Sequence, residues 1–200
     1  MPTALDLDLR APPETRSVQE RKFAALLRQV LRGNAFYQQK YAALGFGPER
    51  PVGISDLQNL PLLGREELVR DLREHPPYGT NLSFPLGKFV RTSESSSAAG
   101  ERLVWLDTAE SWRWCLERWL DGYRSAGIGA EDRVLVVGGV GAELEAAQLH
   151  GALAIPGSSA DPCELLQRAL SYDVNLLVCS PLDAIALGEA ASMAGEPLAQ

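Results

Sequence analysis

Apolar positions follow two different rhythms along this chain. In the first eighty residues they recur at three- and four-residue steps. Phe23, Leu26, Leu27, Val30 and Leu31 form one such stripe behind a capping box at Ser17-Val18-Gln19-Glu20. That pattern predicts a helix starting at Ser17 and stopped by Gly33. Asn34 then caps a second helix with Phe36, Tyr37, Tyr41 and Leu44 on its apolar face. Shorter helices are expected over 54–60 and 65–72, and His75-Pro76-Pro77 breaks the latter.

Past Phe84 the rhythm changes. Strands are expected over 88–92 and 102–106, joined by a loop of small residues from Thr92 to Gly100. Thr108 caps a long helix carrying Trp112, Cys115, Leu116, Trp119, Leu120 and Tyr123, closed by Gly127. Short apolar runs at 133–137, 152–155 and 174–179 then alternate with helical patterns at 142–150, 162–171 and 181–194. Strands alternating with helices predict parallel βαβ units, and continuous apolar strands predict a sheet covered on both faces. The expected fold class is α/β: a helical N-terminal region followed by a mostly parallel sheet with flanking helices. Residues 1–16 are expected to form an extended or loose tail. Residues 17–200 read as a single α/β domain, helical over 17–80 and βαβ over 84–195.

Charge and cysteine content narrow the function. Nineteen Lys and Arg against 26 Asp and Glu give a net charge of −7. Such a balance disfavours nucleic acid and an electrostatic membrane anchor as partners. Cys115, Cys163 and Cys179 are far apart and odd in number, as expected for free thiols in a reducing compartment. With two histidines, His75 and His150, a multi-histidine metal site is excluded. The chain shows neither a signal-like apolar segment near its start nor an 18-residue apolar run, which reads as cytoplasmic.

Two segments could carry chemistry. In the first, Ser95, Ser96, Ser97, Ala98, Ala99 and Gly100 form a loop whose small residues let backbone amides approach a phosphate, with Arg102 just beyond. The second is Gly138-Gly139-Val140-Gly141, between a strand and a helix. A dinucleotide fingerprint would need a third glycine where Leu144 stands, and Glu143 and Glu145 would repel an anion at that helix start.

The order of segments resembles a known family. Asn34-Ala35-Phe36-Tyr37-Gln38-Gln39-Lys40-Tyr41 is similar to the Asn-Pro-Phe-Tyr-x-x-Lys-Tyr helix of phenylacetate–coenzyme A ligases. The stretches 55–61 and 65–68 resemble the next part of those enzymes. Ser95 to Arg102 sits where the family has Ser-Ser-Gly-Thr-Thr-Gly-Lys-Pro. The stretches 151–157 and 176–181 resemble its Gly-Ala-x-x-Ile-Pro and strand-then-Thr-Pro segments. The resemblance implies the fold of the large N-terminal domain of adenylate-forming enzymes, which join a carboxylate to ATP and pass the acyl group to a thiol. It also implies nucleotide contacts at Ser95 to Gly100 and Arg102, and an acid-substrate pocket at Gly138, Gly139, Val140 and Gly141.

The chain departs from the family in that loop. Ala98 and Ala99 replace two threonines, Ser97 a glycine, and Glu101 the lysine. Two like charges 4 Å apart repel by about 4 kcal/mol at an effective dielectric near 20. The family's adenosine segment, ribose-binding aspartate, hinge and C-terminal lysine have no counterpart in the 200 residues. The expectation is a truncated or degenerate relative that is not catalytic alone and acts as a binding or scaffold protein. The alternative is a subunit or fragment of a carboxylate-activating ligase. No cofactor or metal is expected for the isolated chain; ATP, magnesium and coenzyme A enter under the ligase alternative. The expected partner is a second copy or another protein, with Trp114 off the face defined by Trp112 and Trp119 as a contact residue.

Overall fold

The computed structural model describes residues 13–45, 53–96, 100–139 and 141–196. The chain divides into two compact units, Met1–Leu106 and Asp107–Gln200.

In the first unit, α1 spans Pro13–Gly33 and α2 spans Ala35–Ala42. Helix α1 begins four residues before Ser17, so 13–16 are helical rather than extended. Proline suits a first helical turn, whose N–H groups lack intrahelical partners. Ser17 lies inside the helix and its hydroxyl donates to the Glu14 carbonyl. Leu27, Leu31 and Tyr41 form the small core here, with Phe23, Tyr37 and Leu60 against it. A 3₁₀ turn, Ile54–Asn59, precedes α3, Arg65–Glu74.

Two buried polar residues lock this unit. Asn34 is 2% exposed. Its Oδ1 accepts from the Tyr37 N–H, and its Nδ2 donates to Asn81 Oδ1 at 2.9 Å and Ser83 Oγ at 3.1 Å. Asp71 accepts from the Thr80 N–H at 2.7 Å and the Thr80 hydroxyl at 2.5 Å. The chain approaches Asp71 closely because residue 79 is glycine at φ +72°: a Cβ there would lie 2.4 Å from Asp71 Oδ2. The unit ends in a two-stranded sheet of β1, Phe89–Ser96, and β2, Arg102–Thr108, the last two residues of β2 opening the second unit.

The second unit continues with α4 (Ala109–Ser125), β3 (Arg133–Val137), α5 (Ala142–His150), β4 (Leu153–Gly157), α6 (Pro162–Ser171), β5 (Leu176–Val178) and α7 (Pro181–Ala194). Its sheet has the order β4-β3-β5 and is parallel throughout, with Leu135 level with Ile155 and Leu177. The α/β class expected from sequence is what the structure has. Side chains alternate across a strand, and β3 uses both faces. Val134 and Val136 pack with Leu116, Tyr123, Ala142, Ala146 and Ala147 from α4 and α5. Val137 meets Leu165, Leu166, Leu187, Ala190 and Ala191 of α6 and α7, and Leu135 packs with Ile155 and Ala169. The central strand is therefore dry on both sides, as its continuous apolar run requires.

Candidate functional site

The small-residue segment opens differently from the sequence expectation. Ser95 and Ser96 are the last residues of β1, not part of a loop. Ser97, Ala98 and Ala99 lie outside the described residues. Gly100 adopts φ +78°, and Arg102 begins β2. Ser95 is engaged on two sides: its hydroxyl accepts from the Trp105 indole N–H at 2.9 Å, and its carbonyl accepts from Arg65 at 3.2 Å.

Arg65 was not legible as a site residue. Its Nη2 donates to the Ser95 carbonyl and, at 3.0 Å, to the Glu101 carbonyl, so one guanidinium grips both sides of the neck of the segment. One signal did exist in sequence. A cation at the first position of a helix opposes the macrodipole, so Arg65 at the start of α3 asks for a non-local reason.

The charges around the neck pair with one another. Arg102 Nη1 lies 3.1 Å from Glu94 Oε1 and donates to Oε2 at 3.2 Å. Glu101 lies 3.7 Å from Arg73. Both pairs are largely exposed. Such a pair is worth about 1 kcal/mol or less, so either could be opened by a ligand that offered more.

The glycine turn lies in the second unit, between β3 and α5. Gly138, Gly139 and Gly141 adopt φ +75°, +80° and +91°, a conformation glycine enters without strain. Val140 lies outside the described residues. The space over the turn is taken by Glu143: a Cβ on Gly139 would lie 2.6 Å from the Glu143 carboxyl carbon, and Glu143 Oε2 accepts from the Gly141 N–H at 3.1 Å. The acidic residues at this helix start do more than repel an anion; one of them supplies it. Glu145 accepts from the Trp112 indole at 2.9 Å. The Tyr123 hydroxyl donates to the Glu143 carbonyl at 2.8 Å, and burial, helped by the Glu143 charge, pushes the phenol up to about 12.

Glu66 and Glu67 are the acidic residues in the first turn of α3. Glu66 is exposed, but Glu67 accepts from the Gly64 N–H at 3.0 Å and forms an ion pair with Lys40. The Gly64 amide first, and Lys40 second, hold the Glu67 carboxyl below its ordinary range. This pair borders a groove of about 240 Å³ that also includes Phe36, Asp71 and His75. A second groove, of about 770 Å³, runs along α6 past Ser159, Cys163, Glu164 and Arg168. Cys163 is exposed, and Cys115 and Cys179 are partly buried. Among the described residues no cluster of three His, Cys, Asp or Glu could hold a metal ion, and no helix is long and apolar enough to cross a membrane.

No family model matches the chain. Phenylacetate-coenzyme A ligase of Escherichia coli (strain K12) is 25% identical to it over 190 residues, which covers 90% of this chain and 41% of the ligase. A crystal structure of 2-hydroxyisobutyryl-CoA ligase in complex with 2-HIB-AMP and CoA in the thioesterification state is similar with a TM-score of 0.74. Its identity is 20%, covering 93% of this chain and 44% of that one. The same ligase in an open conformation gives 0.73 at 19% identity, over 87% and 39%. The chain is thus a partial match to adenylate-forming ligases, over their N-terminal half, and shares the fold of that part. It spans about two-fifths of the length of these relatives.

Proposed function

We propose that this chain is a degenerate relative of the acid–thiol ligases that does not activate a carboxylate by itself and works by binding another protein, in a reducing, cytoplasmic setting. The observation that carries the reading is the state of the segment around Gly100. In the resembled family this segment meets the ATP phosphates. Here Glu101 stands in place of the lysine, Arg102 is paired with Glu94, and the Ser95 hydroxyl is spent on Trp105. Magnesium–ATP does not fit this donor set. A triphosphate would meet a carboxylate where it needs an ammonium, and two hydroxyl donors are replaced by the methyl groups of Ala98 and Ala99.

The same geometry argues against an acid pocket at the glycine turn, because the Glu143 carboxylate fills the space over Gly139. Protein partners are supported by apolar side chains left in water, such as Leu182, Ile185 and Met193 on α7. The ligase-subunit alternative is favoured by one fact, the 25% identity that runs through 90% of the chain. Under it, ATP, magnesium and coenzyme A would be shared with a second polypeptide.

Calorimetric titration of the whole chain with magnesium–ATP separates the two. The expected result is no saturable heat at millimolar nucleotide. Saturable binding that disappears in Arg102→Ala would overturn the reading, because it would mean that Arg102 leaves Glu94 and serves as the phosphate cation.

A further inference from the structure

Helix α1 carries an unbalanced row of cations on its outward face. At 100° per residue, Arg21, Arg28 and Arg32 lie within about 20° of one line along the helix, with Ala25 and Lys22 beside it. All five residues are exposed. The opposite face puts Leu27 and Leu31 into the core, with Phe23 against them. The row is therefore a surface of its own and not an overflow of the core stripe.

Three observations set this face apart. The acids of α1, Glu14 and Glu20, both precede the row, and Glu20 is taken by Arg16 at 3.4 Å. The side chains of Arg21, Lys22, Arg28 and Arg32 have no ion pair or hydrogen bond among the described residues, whereas Arg73, Arg102, Arg118, Arg124 and Arg133 each have a carboxylate. The chain as a whole has 26 Asp and Glu against 19 Lys and Arg, so four cations together with no acid among them run against its composition. Like charges one turn apart, as at Arg28 and Arg32, also weaken a helix, and nothing within the chain offsets them.

The surroundings and the spacing select the occupant. A guanidinium row calls for oxyanions, which planar guanidinium groups pair two bonds at a time. A nucleic-acid strand wants aromatic platforms for its bases, and the exposed neighbours here are Val18, Ala25 and Gln29. An anionic bilayer is held by a helix that also inserts its apolar face, and Phe23, Leu27 and Leu31 are spent on the core. Both are extended polyanions that meet the field of the whole chain, whose net charge of −7 repels them. A short acidic protein segment meets only the row. Along the axis Arg28 and Arg32 are about 6 Å apart, and Arg21 and Arg28 about 10 Å. A strand repeats on one face about every 6.7 Å, so it matches the first interval and misses the second. A second helix has the same rise as α1. Run antiparallel, its carboxylates at positions j, j+4 and j+11 stand opposite Arg32, Arg28 and Arg21, and its position j+7 lies over the small Ala25.

We infer that the outward face of α1 docks an acidic helix of another protein, with Arg21, Arg28 and Arg32 each pairing a carboxylate of that j, j+4, j+11 pattern. The inference rests on the reading of this chain as a binding protein and names the class of its partner. Three exposed charge pairs give a weak, salt-sensitive complex, with a dissociation constant of roughly 10–100 µM.

Fluorescence anisotropy with the full chain and a labelled, alanine-based helical peptide of about twenty residues tests it, at about 0.15 M salt. The matched peptide carries glutamates at j, j+4 and j+11; the control has the same composition with its glutamates spread round the helix. The matched peptide should bind about fivefold or more tightly than the control. Arg21→Glu/Arg28→Glu should weaken it about tenfold or more while the chain's circular dichroism stays as it is, because both side chains are exposed. A peptide with arginines at j+4 and j+11 and glutamate at j should bind that variant and not the wild type. The inference is overturned if the matched peptide does not bind, or if the two peptides bind the wild type alike. It is equally overturned if a single-stranded oligonucleotide or a phosphatidylserine vesicle binds more tightly at the same salt. These outcomes leave the magnesium–ATP titration as it is, so a failure here is told apart from a failure of the binding-protein reading, which nucleotide binding overturns.

Discussion

Removing the Asn34 side chain should cost the first unit about 3 kcal/mol, and the cost divides into separable parts. Asn34→Ala loses the cap on the Tyr37 amide, worth about 1 kcal/mol. It also loses two donor bonds, to Asn81 and Ser83, worth about 1 kcal/mol each. Both acceptors are only partly buried, so water can replace the lost donor and the penalty stays near those values. Asn34→Ser keeps a good cap but is too short to reach 81 and 83. It should recover about 1 kcal/mol and leave about 2 kcal/mol missing. Urea unfolding followed by far-ultraviolet circular dichroism measures both variants, with the denaturant slope as a check that the unfolded state is unchanged. A double-mutant cycle with Asn81→Ala should return a coupling of about 1 kcal/mol. If Asn34→Ser is as stable as the wild type within about 0.5 kcal/mol, the latch to Asn81 and Ser83 contributes nothing and Asn34 is a helix cap alone.

Arg65→Ala should leave most of the fold in place yet speed hydrogen exchange at the ends of β1 and β2, because both carbonyl contacts of the neck are lost; unchanged exchange there would mean the clamp does not form. Gly79→Ala should destabilise by more than about 2 kcal/mol, since a Cβ would collide with Asp71 at a positive φ, whereas Gly188→Ala, in open space on α7, should stabilise by up to about 1 kcal/mol; thermal melts that rank the two the other way would refute the geometry. Tyr123 should be the last of the buried tyrosines to ionise in an ultraviolet titration of the folded chain, with Tyr37 and Tyr41 also above their ordinary 10.0. The sign for stability follows from the raised value. Between pH 10 and about 12 the unfolded chain gives up this proton and the folded chain keeps it, so the stabilisation is whole below pH 10 and is lost as pH rises through about 12. Tyr123→Phe should remove that part of the alkaline decline, and an unaltered decline would sink the assignment.

The α/β body was readable because its signals are local. Asp161-Pro162 and Ser180-Pro181 each pair a capping side chain with a proline at the first helical position, and α6 and α7 start there. The apolar run 133–137 coincides with β3. The neck of the small-residue segment was not readable, because its partners are remote. Ser93 to Ser96 look like loop on propensity, but cross-strand partners hold them extended: Trp105 on Ser95 and Arg102 on Glu94. Arg65 acts 30 and 36 residues away from itself. At the glycine turn the sequence foretold repulsion by Glu143. It did not foretell that the side chain folds back over Gly139, since that depends on three backbone angles left open by glycine.

Glu143 has a consequence for any ligand offered to that turn. A carboxylate two residues from the amide it bonds is a tethered competitor, and it is always present. Short tethers hold a group at an effective concentration in the millimolar range or above. A free acid arriving at Gly139 and Gly141 must win against that local supply before it gains any affinity of its own. The chain thus sets a concentration threshold for outside carboxylates without any change of shape, and Glu143→Ala would lower it.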